Sequence, residues 1–196
     1  MGKLISQMMV SLDGYMEGAD GELDWHHVDE KYHEYAEGLL HAADAIVFGR
    51  RTYEHMEAFW PTAVAAERFP GVAARMNEKR KIVISNTLEQ AQWANATVIP
   101  GRGEEAVMKL KQDMEGDLVI LASSDLAASL SDAGLIDEYH IIVNPVVLGR
   151  GKKVFHGVQR RVMLKPMHTQ SFPSGSMLMW YQSVNGIQGD TADAIT

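Results

Sequence analysis

The sequence contains no cysteine, which excludes disulfide bonds and thiolate metal ligands. Basic residues are outnumbered, with 18 Lys and Arg against 26 Asp and Glu and a formal net charge of -8. We therefore expect no binding of nucleic acids or anionic membranes through a broad basic surface. No run approaches the roughly 20 apolar residues that a bilayer-spanning helix needs. The first residues also lack a secretion-signal pattern, and together these absences are typical of a cytoplasmic protein.

What the sequence does have is the composition of a folded globular protein. Hydrophobic residues make up 46% of the 196 residues and charged residues 22%, which is far from the composition of disordered chains. This length suits one domain with a sizeable core. We assign residues 1–184 to that domain. The last segment, residues 185–196, is predicted to be a flexible tail because it has little apolar content.

Apolar runs alternate with helical patterns over most of the chain. Residues 4–12 and 45–48 are short apolar runs that indicate buried strands. Between them, apolar residues recur at steps of three and four from Tyr32 to Leu40, which predicts an amphipathic helix with Asp29 near its start. Strand and helix patterns continue to alternate after this pair. Such alternation predicts a parallel sheet with helices on both faces, because parallel neighbours need a crossover connection.

The last third of the sequence has a different pattern. Residues 137–149, 160–172 and 176–184 are strand-like, and Pro-Ser-Gly lies between the last two as a turn. We therefore expect an antiparallel hairpin at one edge of the sheet. The predicted fold class is α/β, with three layers in the order α/β/α and a mostly parallel sheet.

Three predicted strands end in small polar or basic residues. These ends are residues 49–52 (Gly-Arg-Arg-Thr), 85–87 (Ser-Asn-Thr) and 122–124 (Ala-Ser-Ser). In an open parallel sheet the ligand lies at the carboxyl ends of the strands, where helix N-termini offer free N–H groups. Glycine permits close approach of the backbone, and arginine supplies charge for a phosphate. Each end alone is equally typical of helix capping, but the three together predict one extended, phosphate-bearing ligand such as a dinucleotide.

These segments, in this order, resemble the dihydrofolate reductase superfold. The motifs are MVSLDGYMEGADGELDW, VFGRRTYE followed by FWP, VISNTL, LASSDLAASL and GLIDEYHIIVNPVVLGRGKKVF, and the similarity extends over residues 3–181. The sequence is most similar to the C-terminal reductase domain of the bifunctional riboflavin-biosynthesis deaminase-reductase and its stand-alone relatives. The resemblance implies a dihydrofolate reductase-like fold that binds NADPH.

The resemblance also assigns positions to the cofactor. The nicotinamide is expected near the end of the first strand, the phosphates at residues 49–52, and the adenosine ribose at residues 85–87. Asn86 stands where the family has arginine, so NADH remains an alternative to NADPH unless Arg50 or Arg51 holds the ribose phosphate. Ala122 and Ser123 replace at least one glycine of the related turn, so we expect that turn to be reshaped. The implied cofactor-binding residues are Val10, Ser11, Gly14, Gly49, Arg50, Arg51, Thr52, Ser85, Asn86, Thr87, Ala122, Ser123, Ser124, Asp125 and Leu126.

The expected reaction needs few protein groups, because hydride transfer is the chemistry of the cofactor. A proton donor would nevertheless assist the reduction of an imine or a pterin-like ring. The loop and the first helix offer Asp13, Asp29, Glu30 and His33, and dihydrofolate reductases carry one acid on that helix inside the pocket. Asp29 is equally typical of a helix cap and Glu30 of a solvated charge. We assign Asp13, Asp29 and Glu30 as candidate catalytic residues.

Aromatic residues near these motifs suit a flat heterocyclic substrate. The candidates for substrate binding are Trp25, Phe48 and Trp60, with Tyr32 beside them, unless these side chains belong to the core. Residues 149–155, GRGKKVF, hold three cations near a glycine turn and are a further candidate contact for a substrate phosphate. The histidines do not have the spacing of metal ligands, and we predict no metal site.

The sequence thus predicts an NADPH-dependent oxidoreductase that reduces a small heterocycle or imine. By resemblance, the activity is reduction of 5-amino-6-(5-phosphoribosylamino)uracil in riboflavin biosynthesis. Dihydrofolate reduction is an enzymatic alternative, and a nucleotide-binding sensor without turnover is an alternative of another class. The relatives imply a homodimer formed through an apolar sheet edge near the C-terminal hairpin, and sedimentation as a monomer alone would contradict this expectation.

Overall fold

The computed structural model describes residues 2–184, which form ten β-strands and six α-helices. The strands are β1 (Leu4–Ser11), β2 (Tyr15–Glu17), β3 (Ala43–Gly49), β4 (Arg80–Ile84), β5 (Ala96–Ile99), β6 (Asp117–Leu121), β7 (Glu138–Asn144), β8 (Lys152–Lys153), β9 (Leu164–Ser171) and β10 (Met177–Ser183). The helices are α1 (Glu30–Ala42), α2 (Arg50–Phe59), α3 (Ala63–Arg68), α4 (Pro70–Glu78), α5 (Gly103–Asp113) and α6 (Ser124–Asp132). The predicted tail, residues 185–196, lies outside the described residues.

Eight of these strands form one sheet in the order β5-β4-β3-β6-β1-β7-β10-β9. The strands from β5 to β7 in this order are parallel, whereas β10 runs antiparallel to both β7 and β9. The predicted α/β class, the mostly parallel sheet and the antiparallel hairpin at its edge are therefore confirmed. The short strands β2 and β8 pair separately, and their two or three residues are too few to give a periodic pattern in the sequence.

Helices cover both faces of the sheet, because successive residues of a strand point to opposite sides. On one face, Leu4 and Met8 of β1 pack with the apolar sides of α5 and α6. On the other face, Ile5 of β1 packs with residues of α1, α2 and α4, including Leu40 and Met76. These two buried clusters give the predicted α/β/α layering.

The strand order determines where a ligand can bind. After β1 the chain crosses to β3, adds β4 and β5 outward, and returns to insert β6 between β3 and β1. The carboxyl ends of β3, β6 and β1 therefore adjoin at the point where the direction of strand addition reverses. Helix α2 begins directly after β3, and α6 begins a few residues after the end of β6. The N-termini of both helices therefore lie at this edge.

The helix boundaries agree with most of the sequence patterns. Asp29 is the N-cap of α1, and its carboxylate accepts a hydrogen bond from the backbone N–H of Tyr32. Helix α2 begins at Arg50, so both arginines belong to its first turn, and it ends before Pro61. Among residues 2–184, no helix is long and apolar enough to cross a membrane.

Candidate functional site

A cavity of about 1050 Å³ opens at the carboxyl ends of β3 and β6. Its floor is the sheet, represented by Gln7, Met9 and Leu121, and its walls come from α1 on one side and the segment from α2 to α4 on the other. Pockets for small molecules usually enclose roughly 300–1,000 Å³. This cavity is therefore large enough for an extended ligand together with a small second molecule.

Two of the three predicted strand-end turns meet at the polar end of the cavity. The β3–α2 turn contributes residues 49–52, and the β6–α6 turn contributes residues 122–126. The backbone N–H of Gly49 donates a hydrogen bond to Ser123 Oγ at 3.2 Å, which joins the two turns directly. The N-termini of α2 and α6 consequently lie beside the same space, an arrangement suited to binding a pyrophosphate.

The β6–α6 turn has an unusual backbone. Ala122 and Ser123 have φ angles of 54° and 47°, in the left-handed region that only glycine adopts without steric cost. For other residues this region costs about 1–2 kcal/mol each. The chain thus keeps the turn without the glycine of the related motif, at the expense of backbone strain.

Replacing Ala122 with glycine is expected to raise the free energy of unfolding by up to about 1 kcal/mol, because the relief of Cβ strain exceeds the entropy gained by the unfolded chain. Urea unfolding measures the change. Ala133 is a matched control, because it lies at the other end of α6 with an ordinary φ of -77°, where glycine should be neutral or destabilising. A destabilised Ala122→Gly variant would show that the turn carries no such strain.

The cations at the polar end differ in their partners. The Arg50 guanidinium lies 3.5 Å from Glu54 Oε1, one turn further along α2. Lys152 of β8 lines the cavity and forms an ion pair of 2.7 Å with Asp125 Oδ1. Arg51 is exposed and has no ion pair within residues 2–184. Arg51 is therefore the cation that a phosphate can engage without breaking an existing contact.

The third predicted turn, after β4, lies outside the cavity wall. Ser85 Oγ accepts hydrogen bonds from the backbone N–H groups of Thr87 and Leu88, at 3.1 and 3.0 Å. Asn86 accepts from the N–H of Gly101 at 2.7 Å and donates to its carbonyl at 3.3 Å. Local contacts occupy the polar groups of this turn. It adjoins the β3–α2 turn at the sheet edge, because Gly49 pairs with Ile84, but its residues do not line the cavity.

The end of β1 also lies outside the wall. Val10 and Ser11 are 4% and 1% exposed, and Gly14 has a φ of 83° in the turn that follows. Asp13 accepts hydrogen bonds from Ser11 Oγ at 2.7 Å and from the N–H of Gly149 at 2.8 Å. The bond from Ser11 is the main cause that lowers the pKa of Asp13 to about 2. These contacts favour the ionised form of Asp13. The carboxylate therefore holds two loops together and is not suited to act as a proton donor.

The apolar end of the cavity lies between α1, α2 and α4. Tyr32 and Trp60 line it, as the substrate-binding prediction requires. Phe48 packs in the core instead: it is fully buried, and its ring stacks on that of Trp93 at 6.4 Å. Trp25 is 8% exposed and donates from Nε1 to the carbonyl of Glu22 at 3.0 Å. Phe48 and Trp25 therefore do not belong to the wall, because protein side chains and backbone already cover them.

Neither acid at the start of α1 lines the cavity. Asp29 accepts hydrogen bonds from the backbone N–H groups of Tyr32 at 2.9 Å and Ser174 at 2.5 Å, which favours a capping role. Glu30 is exposed at the surface. Within the described residues, the carboxylates of the wall lie on other elements, and they are Glu17, Asp20 and Asp125.

Three histidines, His26, His33 and His55, do line the cavity. Burial, with a smaller effect from His55, lowers the pKa of His26 to about 4. Burial also lowers the pKa of His33, partly offset by Asp29. The His26 and His33 rings are therefore neutral near pH 7. Among residues 2–184, no group of three His, Asp or Glu side chains is placed to hold a metal ion.

Sequence reasoning missed a set of wall residues that includes Gln7, Tyr35, His26 and His55. Tyr35 lies on the face of α1 that the periodicity identified as apolar. That pattern marks a buried face without telling whether protein or ligand covers it. Gln7 offered a signal, because it is a polar residue inside the otherwise largely apolar strand LISQMMVS.

Comparison with known proteins identifies the family of the chain. A family model, the RibD C-terminal domain, matches residues 2–178. The chain belongs to the RibD C-terminal domain family. It is 30% identical over 183 residues to YyaP, an uncharacterised protein of Bacillus subtilis (strain 168), and the match covers 91% of this chain and 94% of YyaP.

Solved structures have the same fold as this RibD C-terminal domain. The diaminohydroxyphosphoribosylaminopyrimidine deaminase/5-amino-6-(5-phosphoribosylamino)uracil reductase of Thermotoga maritima matches with a TM-score of 0.67 and 15% identity, over 93% of this chain and 56% of that one. Dihydrofolate reductase from Enterococcus faecalis, complexed with NADP(H), matches with a TM-score of 0.64 and 17% identity, over 94% of this chain and 98% of that one. At these identities the likeness concerns the fold alone, and it confirms the predicted dihydrofolate reductase-like architecture.

Proposed function

We propose that this RibD C-terminal domain is a reductase that uses NADPH to reduce a small heterocycle or imine, of the kind reduced in riboflavin biosynthesis. One observation carries the proposal: a single cavity joins a polar end, at the N-termini of α2 and α6, to an apolar end lined by aromatic side chains. A pyridine nucleotide has the same division between a charged pyrophosphate and a flat ring. Support comes from the family and from the fold, which is shared with a uracil-type reductase and an NADP(H)-complexed enzyme.

The residues at the polar end fit the phosphates of a dinucleotide. The N-termini of α2 and α6 supply backbone donors, and an added Cβ on Gly49 would meet no atom nearer than Ser123 Oγ at 4.0 Å. Open space therefore lies beside the backbone at this turn. Arg51 would hold the ribose phosphate in place of the turn after β4. When bound, the nicotinamide supplies a hydride, while the walls orient the substrate and exclude water.

Dihydrofolate reduction fits this cavity less well. Dihydrofolate reductases carry an acid on the first helix inside the pocket, whereas α1 presents Tyr32, His33 and Tyr35 to this cavity. A first helix that presents no carboxylate to the cavity does not favour a protonated pterin ring. A sensor without turnover would use the same polar end, so only measured turnover separates it from a reductase.

The proposal is tested by titrating the protein with NADPH and then following NADPH oxidation. Saturable binding below about 1 mM is expected, with turnover of the phosphoribosylaminouracil and none of dihydrofolate. Binding with neither substrate reduced would overturn the reductase and favour the sensor. Absence of saturable binding would overturn both.

A pair of variants at Gly49 tests the location of the nucleotide. Aspartate is a good helix N-cap, so Gly49→Asp should preserve α2 while placing a negative charge beside the phosphates. We expect it to raise the Kd for NADPH by about tenfold or more, and we expect Gly49→Ser, an uncharged cap, to change it by less than about threefold. Equal effects of the two variants would contradict this location.

A further inference from the structure

Four polar side chains connect the cavity to the protein surface. Tyr35 lines the cavity, and its hydroxyl lies 2.8 Å from His140 Nδ1. His140 Nε2 has no hydrogen-bond partner among the described residues, but it lies 3.6 Å from Glu138 Oε2, within ion-pair distance. Glu138 Oε1 accepts a hydrogen bond from Lys3 Nζ at 2.7 Å, and the Lys3 side chain is 55% exposed to solvent. The chain of contacts therefore has one end at the ligand space and the other in water.

The middle of this chain is buried in the sheet. His140 and Glu138 are 4% and 5% exposed, and as alternate residues of β7 they lie on the face covered by α1. His140 is also the cross-strand neighbour of Gln7 in the cavity floor. Ionisable groups are costly to bury, and apolar residues of similar size would stabilise the sheet as well or better. A buried His–Glu pair at a cavity therefore points to a function other than packing.

We propose that Tyr35 is the proton donor of the reduction and that His140, supported by Glu138 and Lys3, returns the proton to it from solvent. This inference rests on the proposed reductase function. The substrate carbon accepts the hydride, the Tyr35 O–H bond breaks, and an N–H bond forms on the imine nitrogen. The His140 imidazolium then gives its Nδ1 proton to the Tyr35 phenolate, which leaves a neutral imidazole, and a proton that enters from solvent at Lys3 and Glu138 restores the imidazolium. The substrate gains one hydride and one proton, and the nicotinamide is oxidised.

Two other polar groups of the wall, Tyr32 and His26, have no charged side chain within residues 2–184 that leads from them to solvent. The Tyr32 hydroxyl accepts only from Gln7 Nε2, at 3.5 Å, among the contacts of the described residues. His26 Nε2 is buried without a hydrogen-bond partner there. A donor must be recharged after each turnover, and a group enclosed without a polar path exchanges protons slowly. Burial raises the pKa of Tyr35 well above its usual value, so the phenol keeps its proton until a base develops beside it.

The pH dependence follows from the groups around the pair. Tyr35 faces Tyr32 on the same helix, and His140 faces Glu138 on β7 and Lys3 before β1. Burial lowers the pKa of His140 below 6.5, Glu138 opposes this shift, and Lys3 adds to it. The imidazolium is the form that can reload Tyr35. The rate is therefore expected to be highest below the pKa of His140 and to fall as the pH rises through it.

The first experiment compares Tyr35→Phe with Tyr139→Phe. Tyr35→Phe should lower kcat by about 100-fold or more and leave the Kd for NADPH within about threefold of wild type. Tyr139 is a matched control, because it is a buried tyrosine on the opposite face of β7 whose hydroxyl donates to Ser131 Oγ. Its replacement removes one buried hydrogen bond and should leave kcat unchanged. Turnover by Tyr35→Phe within about threefold of wild type would overturn the proposal.

The second experiment measures the pKa of His140 directly, by NMR of the protein without nucleotide. Glu138→Gln removes an anion and should lower this pKa, whereas Lys3→Gln removes a cation at an exposed position and should raise it. The pKa read from the pH dependence of kcat must shift in the same direction as the pKa of His140 measured by NMR, down in Glu138→Gln and up in Lys3→Gln. A kinetic pKa that stays fixed while the NMR value moves would overturn the relay. Failure of wild type to reduce any imine would instead refute the reductase function, so the two failures are distinguishable.

Discussion

Replacing Asn144 with alanine is expected to lower the free energy of unfolding by about 2–4 kcal/mol. Asn144 is fully buried at the end of β7. Its Oδ1 accepts from the backbone N–H of His27 at 2.8 Å and from Ser176 Oγ at 3.2 Å. Its Nδ2 donates to the carbonyls of Val10 and Ile142 at 3.2 and 3.3 Å. Alanine would leave a void at the buried Asn144 position and would take the partner from the part-buried His27 N–H.

The same substitution should loosen one side of the cavity. The His27 N–H is an anchor of the segment before α1, which also carries the wall residues Leu23, His26 and Val28. Urea unfolding measures the stability loss, and hydrogen exchange should show faster exchange at residues 22–28. Gln182→Ala serves as the control, because Gln182 is an exposed amide on β10 and its loss should change stability by less than about 0.5 kcal/mol. Equal unfolding free energies for the two variants would refute this role of Asn144.

Replacing Arg51 with alanine is expected to weaken NADPH binding by about 10- to 100-fold. A hydrogen bond to a charged group contributes about 1.5–3 kcal/mol, which corresponds to this range. Arg51 lies in the first turn of α2 with its charge unpaired among residues 2–184, and the turn after β4 is occupied by its own contacts. We therefore expect Arg51 to bind the ribose phosphate and the variant to lose affinity for NADPH but not for NADH.

Arg161→Ala is the matched control for Arg51→Ala, because Arg161 is an exposed arginine outside the cavity wall and its loss changes the net charge equally. Isothermal titration of the wild type and of both variants, each with NADPH and with NADH, gives the dissociation constants to be compared. A loss of equal size for NADPH and NADH would assign Arg51 to the pyrophosphate. Unchanged affinity for both would remove Arg51 from the site.

Much of the fold could be predicted because its signals are local. The periodicity of α1, the capping position of Asp29 and the alternation of strands with helices each depend on residues close together in the chain. Element boundaries are harder to predict, as the start of α2 shows: its N-cap is Gly49, which forms no side-chain cap, so no capping residue marks the start at Arg50.

The candidate site could be predicted only in part. Strand ends rich in glycine and serine pointed to the polar end, and the structure brings the turns at Gly49 and Ser123 together. The same reasoning placed Phe48 at the site, although it packs in the core. An aromatic residue at a strand end has the same local signature whether it faces a helix or a ligand, and neighbouring layers decide between them.

The sequence by itself determined the alternation of strands and helices, the capping of α1 and the family to which the chain belongs. Only the tertiary structure decided which side chains share the cavity and which connect it to water. Tyr35 and His140 are separated by 105 positions and meet only because β7 is inserted beside β1 under α1. Local propensity has no information on such a contact, because its free energy arises from burial and geometry that exist only after the sheet has formed.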